Sequence, residues 1–407
     1  MPVPDAGPMI PLLEGIRILE LSAVVMGPFA GQVLADLGAE VLKVEPLEGD
    51  VARSSRPQAA GMGALYVNNN RNKRTIALDL KSASGRAVLE RLIRRSDVLL
   101  HNMRADAAER LGLGFEAVAA INPRIIHCAA IGFGQRGRYR GRPAFDDVIQ
   151  AASGLAGMAQ YHGDEPRFVP TILADKVGAL YAVYGILAAL VAHGRGREQA
   201  IRVEVPMFEA LASFLLNEHL AEASFEESGK VGYARVLSRD RRPYRTRDGW
   251  IAVLPYTVEQ WRRFLVEVER SDVLAQPWFE QADGRHRHID YLYGVIAAVL
   301  PRRDTASWLE TLSQLDIPCS QVNRPEDLLR DPHLQEVGFF AVGARYPKEI
   351  KRMLPQPVLF DGIAPKDDTP PPPLGADTLD VLRGCGYSGQ EIEDLMARHV
   401  VHGASAS

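Results

Sequence analysis

The stretch "IRILELSAVVMGPFAGQVLADLGAEVLKVE" (16–45) decides the fold class. It opens with a β-type run, "IRILEL" (16–21), continues as an apolar helical pattern, "GPFAGQVLADLGA" (27–39), and ends in a second β-type run, "EVLKVE" (40–45). A strand, a helix and a strand at this spacing form a βαβ unit, and such units build parallel sheets. The stretch therefore predicts an α/β fold.

The same alternation continues along the first 200 residues. A helix capped by Ser82 or Ser84 and running through Arg95 is flanked by further β-type runs, which are "TIALDL" (75–80), "DVLLHN" (97–102), "RIIHCAAI" (124–131) and "AIRVEVP" (200–206). After about residue 225 a hairpin is predicted at 244–256, with Asp248-Gly249 as its turn, and helices follow it. We expect three parts, a large α/β domain with a doubly wound sheet (1–220), a small α+β domain (225–330), and a linker and C-terminal tail that returns to the large domain (331–407).

Composition excludes several classes of protein. A chain of 407 residues with a net charge of −4 lacks the basic excess of nucleic-acid-binding proteins. The three cysteines, Cys128, Cys319 and Cys385, form no CxxC pair, so neither a disulfide framework nor a metal site is predicted. The N-terminus lacks the pattern of a signal peptide, and the longest apolar run (177–192) is short for a membrane span. These features predict a cytoplasmic protein without nucleic-acid or membrane partners.

The apolar run "TILADKVGALYAVYGILAAL" (171–190) carries an acid, Asp175, near its start. One interpretation is a first-turn acid stabilised by the helix dipole. The other is a nucleophile that is partly stripped of water and forms a covalent intermediate. In the second interpretation Gly178, one turn later, leaves room for a ligand to approach the backbone.

Basic segments follow several predicted strands. "GFGQRG" (132–137) matches G-x-G-x-x-G, but the next residues, "RYRGRPAFDD", do not open a helix, so we predict a surface loop and not a dinucleotide site. Arginines occupy alternate positions of this loop (136, 138, 140 and 142), and Arg104 follows another strand. Ligands of open α/β sheets bind outside the carboxyl ends of the strands, so this arrangement suits a phosphorylated ligand. The pair Asp146-Asp147 is interpreted as a helix start.

Several segments together resemble the class III CoA-transferases, the family of formyl-CoA transferase, carnitine CoA-transferase and the α-methylacyl-CoA racemases. The resemblance covers nearly the whole chain and includes 13–50, "NRNKRTIALDLKS" (70–82), 101–134, "LADKVGALYAVYGILAAL" (173–190) and 374–395. It implies a Rossmann-like large domain, an interlocked homodimer, and coenzyme A as substrate and carrier, with acyl-CoA and small carboxylic acids as partners and no metal. It also implies that Asp175 is the catalytic aspartate, which forms a mixed anhydride and then an aspartyl-CoA thioester. The CoA contacts implied by the resemblance are Val24, Val25, Glu45, Arg74, Asn102, Met103, Arg104, Arg110, Leu111, Arg136 and Arg140.

Two departures from the family pattern bear on the reaction. The racemases have a histidine where this chain has Phe145, and racemisation needs a second base, so a racemase is disfavoured. "VLPYTVEQW" (253–261) stands in place of a glycine-rich loop and resembles the subgroup acting on small dicarboxylates such as mesaconate. For the distal carboxylate of such a substrate we expect a cation among Arg241, Arg242 and Arg245, with a structural basic hairpin as the alternative. Intramolecular CoA transfer within one dicarboxylate, and a non-catalytic CoA-binding protein, are the remaining alternatives.

Overall fold

The computed structural model describes residues 12–340, 342–362 and 369–403. The chain divides into two compact units. The first comprises 1–155, 168–214 and 338–407, and the second comprises 156–167 and 215–337. Where the sequence suggests a break at 220–225, the second unit starts a few residues earlier and also takes in the short segment 156–167.

Strands and helices alternate through most of the first unit, and the second unit contains β9 to β11 and α9 to α15. Over both units, the strands are β1 (Arg17–Leu21), β2 (Glu40–Glu45), β3 (Gln58–Ala59), β4 (Met62–Gly63), β5 (Lys73–Leu78), β6 (Val98–His101), β7 (Ile126–Ile131), β8 (Ile201–Pro206), β9 (Tyr244–Arg245), β10 (Trp250–Val253), β11 (Cys319–Gln321) and β12 (Val401–His402). The helices are α1 (Met26–Asp36), α2 (Ala64–Val67), α3 (Ala83–Arg94), α4 (Ala105–Arg110), α5 (Phe115–Ile121), α6 (Asp146–Ala152), α7 (Leu173–Gly194), α8 (Met207–His219), α9 (Val258–Glu267), α10 (Ser271–Leu274), α11 (Ala282–Arg287), α12 (Ile289–Val299), α13 (Thr305–Gln314), α14 (Pro325–Leu328), α15 (Pro332–Glu336), α16 (Thr378–Gly384) and α17 (Gly389–Ala397).

A seven-stranded sheet forms the centre of the first unit, in the order β12-β5-β2-β1-β6-β7-β8. All neighbours are parallel except β12, which pairs antiparallel with β5. Leu21 and His101 lie opposite each other at the carboxyl ends of β1 and β6. The chain leaves β1 towards β2 on one side and adds β6 on the other. This change of direction opens the crevice in which ligands of such sheets bind.

Helices cover both faces of this sheet, which explains the nearly continuous burial of its strands. Helices α1 and α7 contribute to the core on one face, whereas α3, α16 and α17 contribute to the core on the other. Helix α7 has 22 residues and a mean hydropathy of 1.7, so by length and composition it could cross a membrane. Its residues Ala174, Ala179, Ala182 and Ile186 are buried in the core, and this packing accounts for the apolar residues on one face of the helix.

The second unit contains a small antiparallel sheet, β11-β10-β9. The predicted hairpin is confirmed: β9 and β10 pair, and the Thr246 amide donates a hydrogen bond to Gly249 O across the turn. The segment "VLPYTVEQW" runs from the end of β10 into α9, which begins with a capping box formed by Thr257 and Gln260. Trp261, on the buried face of α9, packs in the core of this unit.

Candidate active site

Asp175 lies in the first turn of α7, inside the first unit. Ile172 occupies the N-cap position of this helix and makes no side-chain cap hydrogen bond. The backbone amide of Asp175 instead donates to Oδ1 of Asp146 at 3.1 Å. The start of the helix is therefore fixed by a second carboxylate, and the side chain of Asp175 is not used as a cap.

Asp146 is the residue that the sequence analysis set aside. It begins α6, as predicted, but its buried carboxylate also has a partner on each oxygen. Gln150 Nε2 donates to Oδ2 at 2.6 Å, and Gln150 Oε1 accepts from the Val169 amide at 2.9 Å. The glutamine thus connects α6 to the segment that precedes α7. No sequence spacing reveals this arrangement, because it depends on contacts between α6 and a segment about twenty residues later.

The environment of Asp175 makes its carboxyl group a weaker acid than usual. Burial raises its pKa, the nearby charge of Asp146 raises it further, and the Met26 backbone lowers it, which brings the pKa to about 6 from the ordinary 3.8. At neutral pH the group is therefore mostly ionised. A poorly hydrated carboxylate of this kind is a stronger nucleophile than one in water, which suits covalent catalysis.

A pocket of about 120 Å³ opens beside Asp175, at the carboxyl edge of β1, β6 and β7. Its apolar wall consists of Ala23, Val24, Met26, Ala130, Ile131, Phe133, Ala144, Phe145 and Met207. Its polar lining includes Asn102, Arg104, Gln135 and Arg142. The pocket combines the Asp175 carboxylate, a mainly apolar wall and two guanidinium groups.

The interpretation of Gly178 as an opening for a ligand is wrong. A Cβ atom at this position would lie 2.5 Å from Cε and 3.3 Å from Sδ of Met26. The missing side chain makes room for the methionine that begins α1 and not for a ligand. Glycine at 178 therefore permits the close packing of α1 on the first turns of α7.

The loop "GFGQRG" uses its amides internally. The Gly134 amide donates to Glu209 Oε1 at 3.1 Å, and the Gln135 amide donates to Glu204 Oε1 at 2.9 Å. The next helix, α6, begins only at Asp146. Since carboxylates already accept from these amides and no helix opens behind them, the loop lacks the geometry of a dinucleotide-binding turn, as predicted.

The structure places four of the eleven residues expected to contact CoA in the Asp175 pocket. They are Val24, Asn102, Met103 and Arg104. Among the loop arginines, Arg142 lines the pocket and lies over the Tyr139 ring at 4.3 Å. Its neighbours Arg136 and Arg140 stand outside the pocket lining, and all three arginines are exposed.

The other five expected contacts lie outside the lining of this pocket. Val25 is buried at the N-cap position of α1. Glu45 is buried, and its Oε1 accepts from Arg53 Nη2 at 2.7 Å and from Thr75 Oγ1 at 2.6 Å. The remaining three are Arg74, whose Nε lies 3.1 Å from Asp377 Oδ1, Arg110, whose Nη1 lies 3.3 Å from Asp106 Oδ2, and Leu111, which packs against the core.

Among the residues that the structure describes, no three or more histidine, cysteine or acidic side chains come together as metal ligands. The three cysteines are free, and Cys128 is buried.

A partly buried carboxylate in a pocket at the carboxyl edge of a parallel sheet is suited to group transfer through a covalent intermediate. Residues 13–378 match the family described as CoA-transferase family III, and the chain belongs to this family. The protein is accordingly a CoA-transferase, with coenzyme A as the carrier in its substrate.

Named relatives and solved structures span nearly the same length. The chain is 29% identical to formyl-CoA:oxalate CoA-transferase of Escherichia coli O157:H7, over 96% of this chain and 99% of that protein. It is 25% identical to (R)-2-hydroxy-4-methylpentanoate CoA-transferase of Clostridioides difficile, with the same coverage. A CAIB/BAIF family protein from Brucella suis superposes with a TM-score of 0.78 at 25% identity, over 93% of this chain and 100% of that one. Rv3272 of Mycobacterium tuberculosis gives 0.79 at 25% identity, over 90% and 98%.

Proposed function

We propose that this enzyme moves CoA from an acyl-CoA thioester to a small dicarboxylic acid, with Asp175 as the covalent nucleophile. The observation that carries the proposal is the environment of Asp175, which is partly buried, joined to Asp146 through its backbone amide and placed in a mainly apolar pocket. One relative acts, by its name, on oxalate, which is a small dicarboxylate. The other acts on a hydroxy acid, so the choice of acid varies within the family.

The proposed reaction is a series of acyl transfers that begins at the thioester carbonyl of the donor. An Asp175 oxygen attacks the thioester carbonyl, the C–S bond breaks, and CoA leaves as a thiolate with a mixed anhydride behind it. The thiolate attacks the aspartyl carbonyl, releases the donor acid as a carboxylate and forms an aspartyl-CoA thioester. The acceptor carboxylate then attacks the carbonyl of the aspartyl-CoA thioester and releases the CoA thiolate, which leaves a second mixed anhydride. The thiolate attacks the acceptor carbonyl of this anhydride, gives the acceptor-CoA thioester and regenerates the Asp175 carboxylate. No proton is consumed, and the high-energy acyl groups survive only if water is excluded.

Arg142 is our candidate for the cation that pairs with the distal carboxylate. Arg142 and Arg104 line the pocket with Asp175, and an unpaired carboxylate in such a pocket would be costly. The three arginines expected from sequence lie in the second unit: Arg242 is 3.8 Å from Asp240, Arg245 lies over the Trp250 ring, and Arg241 lines a separate groove with Ser320. Arg142→Ala should lower the preference for C4–C5 dicarboxylates over butyrate, and Arg138→Ala, in the same loop, is its matched control.

The test of the nucleophile is the Asp175→Ala variant, which should fold and lose CoA transfer. Purified protein is incubated with succinyl-CoA and a panel of acids, and the CoA products are identified by mass spectrometry. Hydroxylamine should convert the aspartyl thioester to a hydroxamate on the peptide that contains Asp175. Turnover at the wild-type rate by a folded Asp175→Ala protein would reject the proposal, and Asp147→Ala serves as an exposed acidic control.

Intramolecular transfer is the second form of the reaction. The dicarboxylate would then serve as donor and acceptor in turn, with CoA moving between its two carboxyl groups. A mixture of labelled dicarboxylyl-CoA and unlabelled free acid distinguishes the two forms. Exchange of label with the free acid supports transfer between molecules, whereas isomerised product without exchange supports transfer within one molecule.

The CoA phosphates are proposed to lie against the arginines that are not used inside the protein. Arg104 lines the pocket, and Arg140 is exposed on the loop that leads to it. Guanidinium groups pair with phosphate oxygens through two parallel hydrogen bonds. The variants Arg104→Ala and Arg140→Ala should therefore raise the Michaelis constant for the CoA donor. Unchanged constants in both variants would place the phosphates elsewhere.

We also propose that two copies of the chain form the interlocked homodimer that the family resemblance implies. Leu180, Tyr184 and Val191 share one face of α7 and are each more than half exposed. A mainly apolar groove of about 740 Å³ lies between α1, α7 and residues 354–360 of the same unit. Soluble monomers rarely expose apolar surface of this extent, so a second copy is the proposed occupant. Analytical ultracentrifugation should give twice the chain mass, and a monomer at micromolar concentration would contradict the assignment.

A further inference from the structure

The guanidinium group of Arg142 rests on an aromatic ring. Its central carbon lies 4.3 Å from the centroid of the Tyr139 ring. A guanidinium group within about 6 Å of a ring centroid is attracted to the negative face of the ring. The Arg142 amide also donates to Tyr139 O at 3.1 Å, so the two residues are joined through both backbone and side chain. In the described part of the chain no carboxylate pairs with Arg142, which leaves its charge free for a ligand of the pocket that it lines.

The Tyr139 ring is itself held by two phenylalanine rings. Its centroid lies 5.4 Å from that of Phe133 and 5.9 Å from that of Phe208, and the two phenylalanine centroids lie 5.5 Å apart. Tyr139 meets each of them edge-on, at an interplanar angle of 69°, which is a favourable geometry for aromatic pairs. Phe133 is buried and lines the Asp175 pocket. The three rings therefore connect Arg142 to the wall of that pocket.

The loop that leads to Tyr139 is fixed by the start of α8. The Phe208 amide donates to Gly132 O at 2.9 Å, and the Gly134 amide donates to Glu209 Oε1 at 3.1 Å. Met207, the first residue of the same helix, lines the pocket. Three consecutive residues of α8 thus contact the pocket, the aromatic rings and the loop backbone. Tyr139 and Arg142 extend from a base that the fold holds in place.

Arg138 shows what an arginine of this loop does without such a ring. It is exposed, does not line the pocket and, within the described residues, contacts no aromatic ring. A long exposed side chain of this kind samples many rotamers, and ordering it when a ligand binds costs free energy. A guanidinium group that already lies on a ring has part of this ordering done before the ligand arrives.

We propose that Tyr139 is a positioning residue for substrate choice: its ring holds the Arg142 guanidinium where it pairs with the distal carboxylate of a dicarboxylic acid. Tyr139 stands outside the pocket lining and acts through Arg142. This inference rests on the proposed function, in which Arg142 pairs with that carboxylate. Since butyrate has no second carboxylate, loss of the ring should weaken the use of dicarboxylates and leave the use of butyrate nearly unchanged.

The test compares Tyr139→Leu with Tyr139→Phe. Both variants lose the hydroxyl group, but only phenylalanine keeps a ring face under the guanidinium group. The measured quantity is the ratio of kcat/KM for C4–C5 dicarboxylates to kcat/KM for butyrate, with one CoA donor throughout. Tyr139→Leu should lower this ratio about two- to fivefold, the effect of one exposed cation–π contact, and Tyr139→Phe should keep the wild-type ratio. The double variant Tyr139→Leu/Arg142→Ala should have the ratio of Arg142→Ala alone, because the ring then has no guanidinium group to hold.

A merely structural role of Tyr139 gives a different result. Slower turnover of both acids by Tyr139→Leu, at the wild-type ratio, would overturn the proposal, and so would equal ratios in the leucine and phenylalanine variants. If Tyr139→Leu does not fold, Tyr139→Met replaces it, because its flexible apolar side chain fills irregular space without a ring face.

A measurement without turnover separates this inference from the proposed function. In protein with isotope-labelled arginine, the ring current of Tyr139 should shift the Nε–H signal of Arg142 upfield, and the signal is assigned by its absence in Arg142→Ala. The shift should persist in Tyr139→Phe and disappear in Tyr139→Leu, and an identical signal in both variants would overturn the inference. If the signal behaves as expected but Arg142→Ala keeps the wild-type acid preference, the proposed pairing of Arg142 with the distal carboxylate is what fails.

Discussion

Replacing Asp146 by asparagine should move the acid limit of catalysis to lower pH. In the wild-type protein the pKa of Asp175 is about 6, raised first by burial and second by the charge of Asp146. With that pKa, roughly one tenth of Asp175 is ionised at pH 5 and nearly all at pH 7.5, so the rate should fall about tenfold between these values. A carboxylate with the ordinary pKa of 3.8 would lose almost nothing over the same range. Asp146→Asn removes the charge but leaves the burial, so its limit should lie between these two cases.

The assay is kcat at saturating donor and acceptor, from pH 4.5 to 8.5. A phosphate group such as the 3′-phosphate of CoA also titrates near pH 6. The diagnostic result is therefore the difference in acid limit between wild type and Asp146→Asn, and not the acid limit of wild type alone. Asparagine keeps an oxygen for the Asp175 amide but presents an amide group to Gln150, which should cost about 1 kcal/mol of stability. Asp147→Asn, on the exposed side of the same helix, should leave the profile unchanged. An acid limit in Asp146→Asn equal to or above that of wild type would refute the assigned electrostatic coupling.

Two further predictions concern packing and acid stability. Gly178→Ala places a Cβ 2.5 Å from Met26 Cε, so it should cost about 1–3 kcal/mol and lower the melting temperature, whereas Gly194→Ala, with open space at the end of the same helix, should be neutral or stabilising; equal melting temperatures for the two variants would contradict the packing. Burial, and then the charge of His127, lower the pKa of His101 from 6.5 to about 3, so the unfolded chain takes up the proton first as the pH falls. The unfolding free energy should therefore drop by up to about 1.4 kcal/mol per pH unit below pH 6.5 from this group, and urea denaturation of His101→Asn should show a shallower dependence; the same slope in both proteins would exclude His101 as a contributor.

The parallel sheet was accessible from sequence because its signals are local. The runs 16–21, 40–45 and 200–206 each fall within a residue or so of an observed strand, since apolar β-branched runs bounded by turns need no distant information. The order of the strands is a different matter. The central place of β1 depends on its pairing with β6, where Ile18 lies opposite Val98, and the edge place of β12 depends on its pairing with β5, where Val401 lies opposite Leu78. Residues 341, 363–368 and 404–407 of the predicted linker and tail (331–407) lie outside the described residues.

The candidate site also has features that the sequence predicts and features that only the fold reveals. An acid at the head of a very apolar helix is visible in the sequence, and the family resemblance selects Asp175. The role of Asp146 was missed because an aspartate at a helix start is commonly a cap, and only the fold brings its carboxylate to another helix. Arg142 could be separated from Arg136 and Arg140 only by the path of the loop. Gly178 was misinterpreted, because a glycine that admits a ligand and one that admits a side chain look the same in a sequence.

The apolar character of α7 and the acidity of its third residue have one physical origin. A helix that lies in the core beside a parallel sheet must be apolar on most of its surface. The same surroundings remove water from any acid in its first turn and raise the pKa of that acid. Here burial and the charge of Asp146 raise the pKa to about 6, and the Met26 backbone at the start of α1 lowers it. The acidity of Asp175 is therefore set less by the residues next to it in sequence than by α1 and α6, which the fold brings against the first turns of α7.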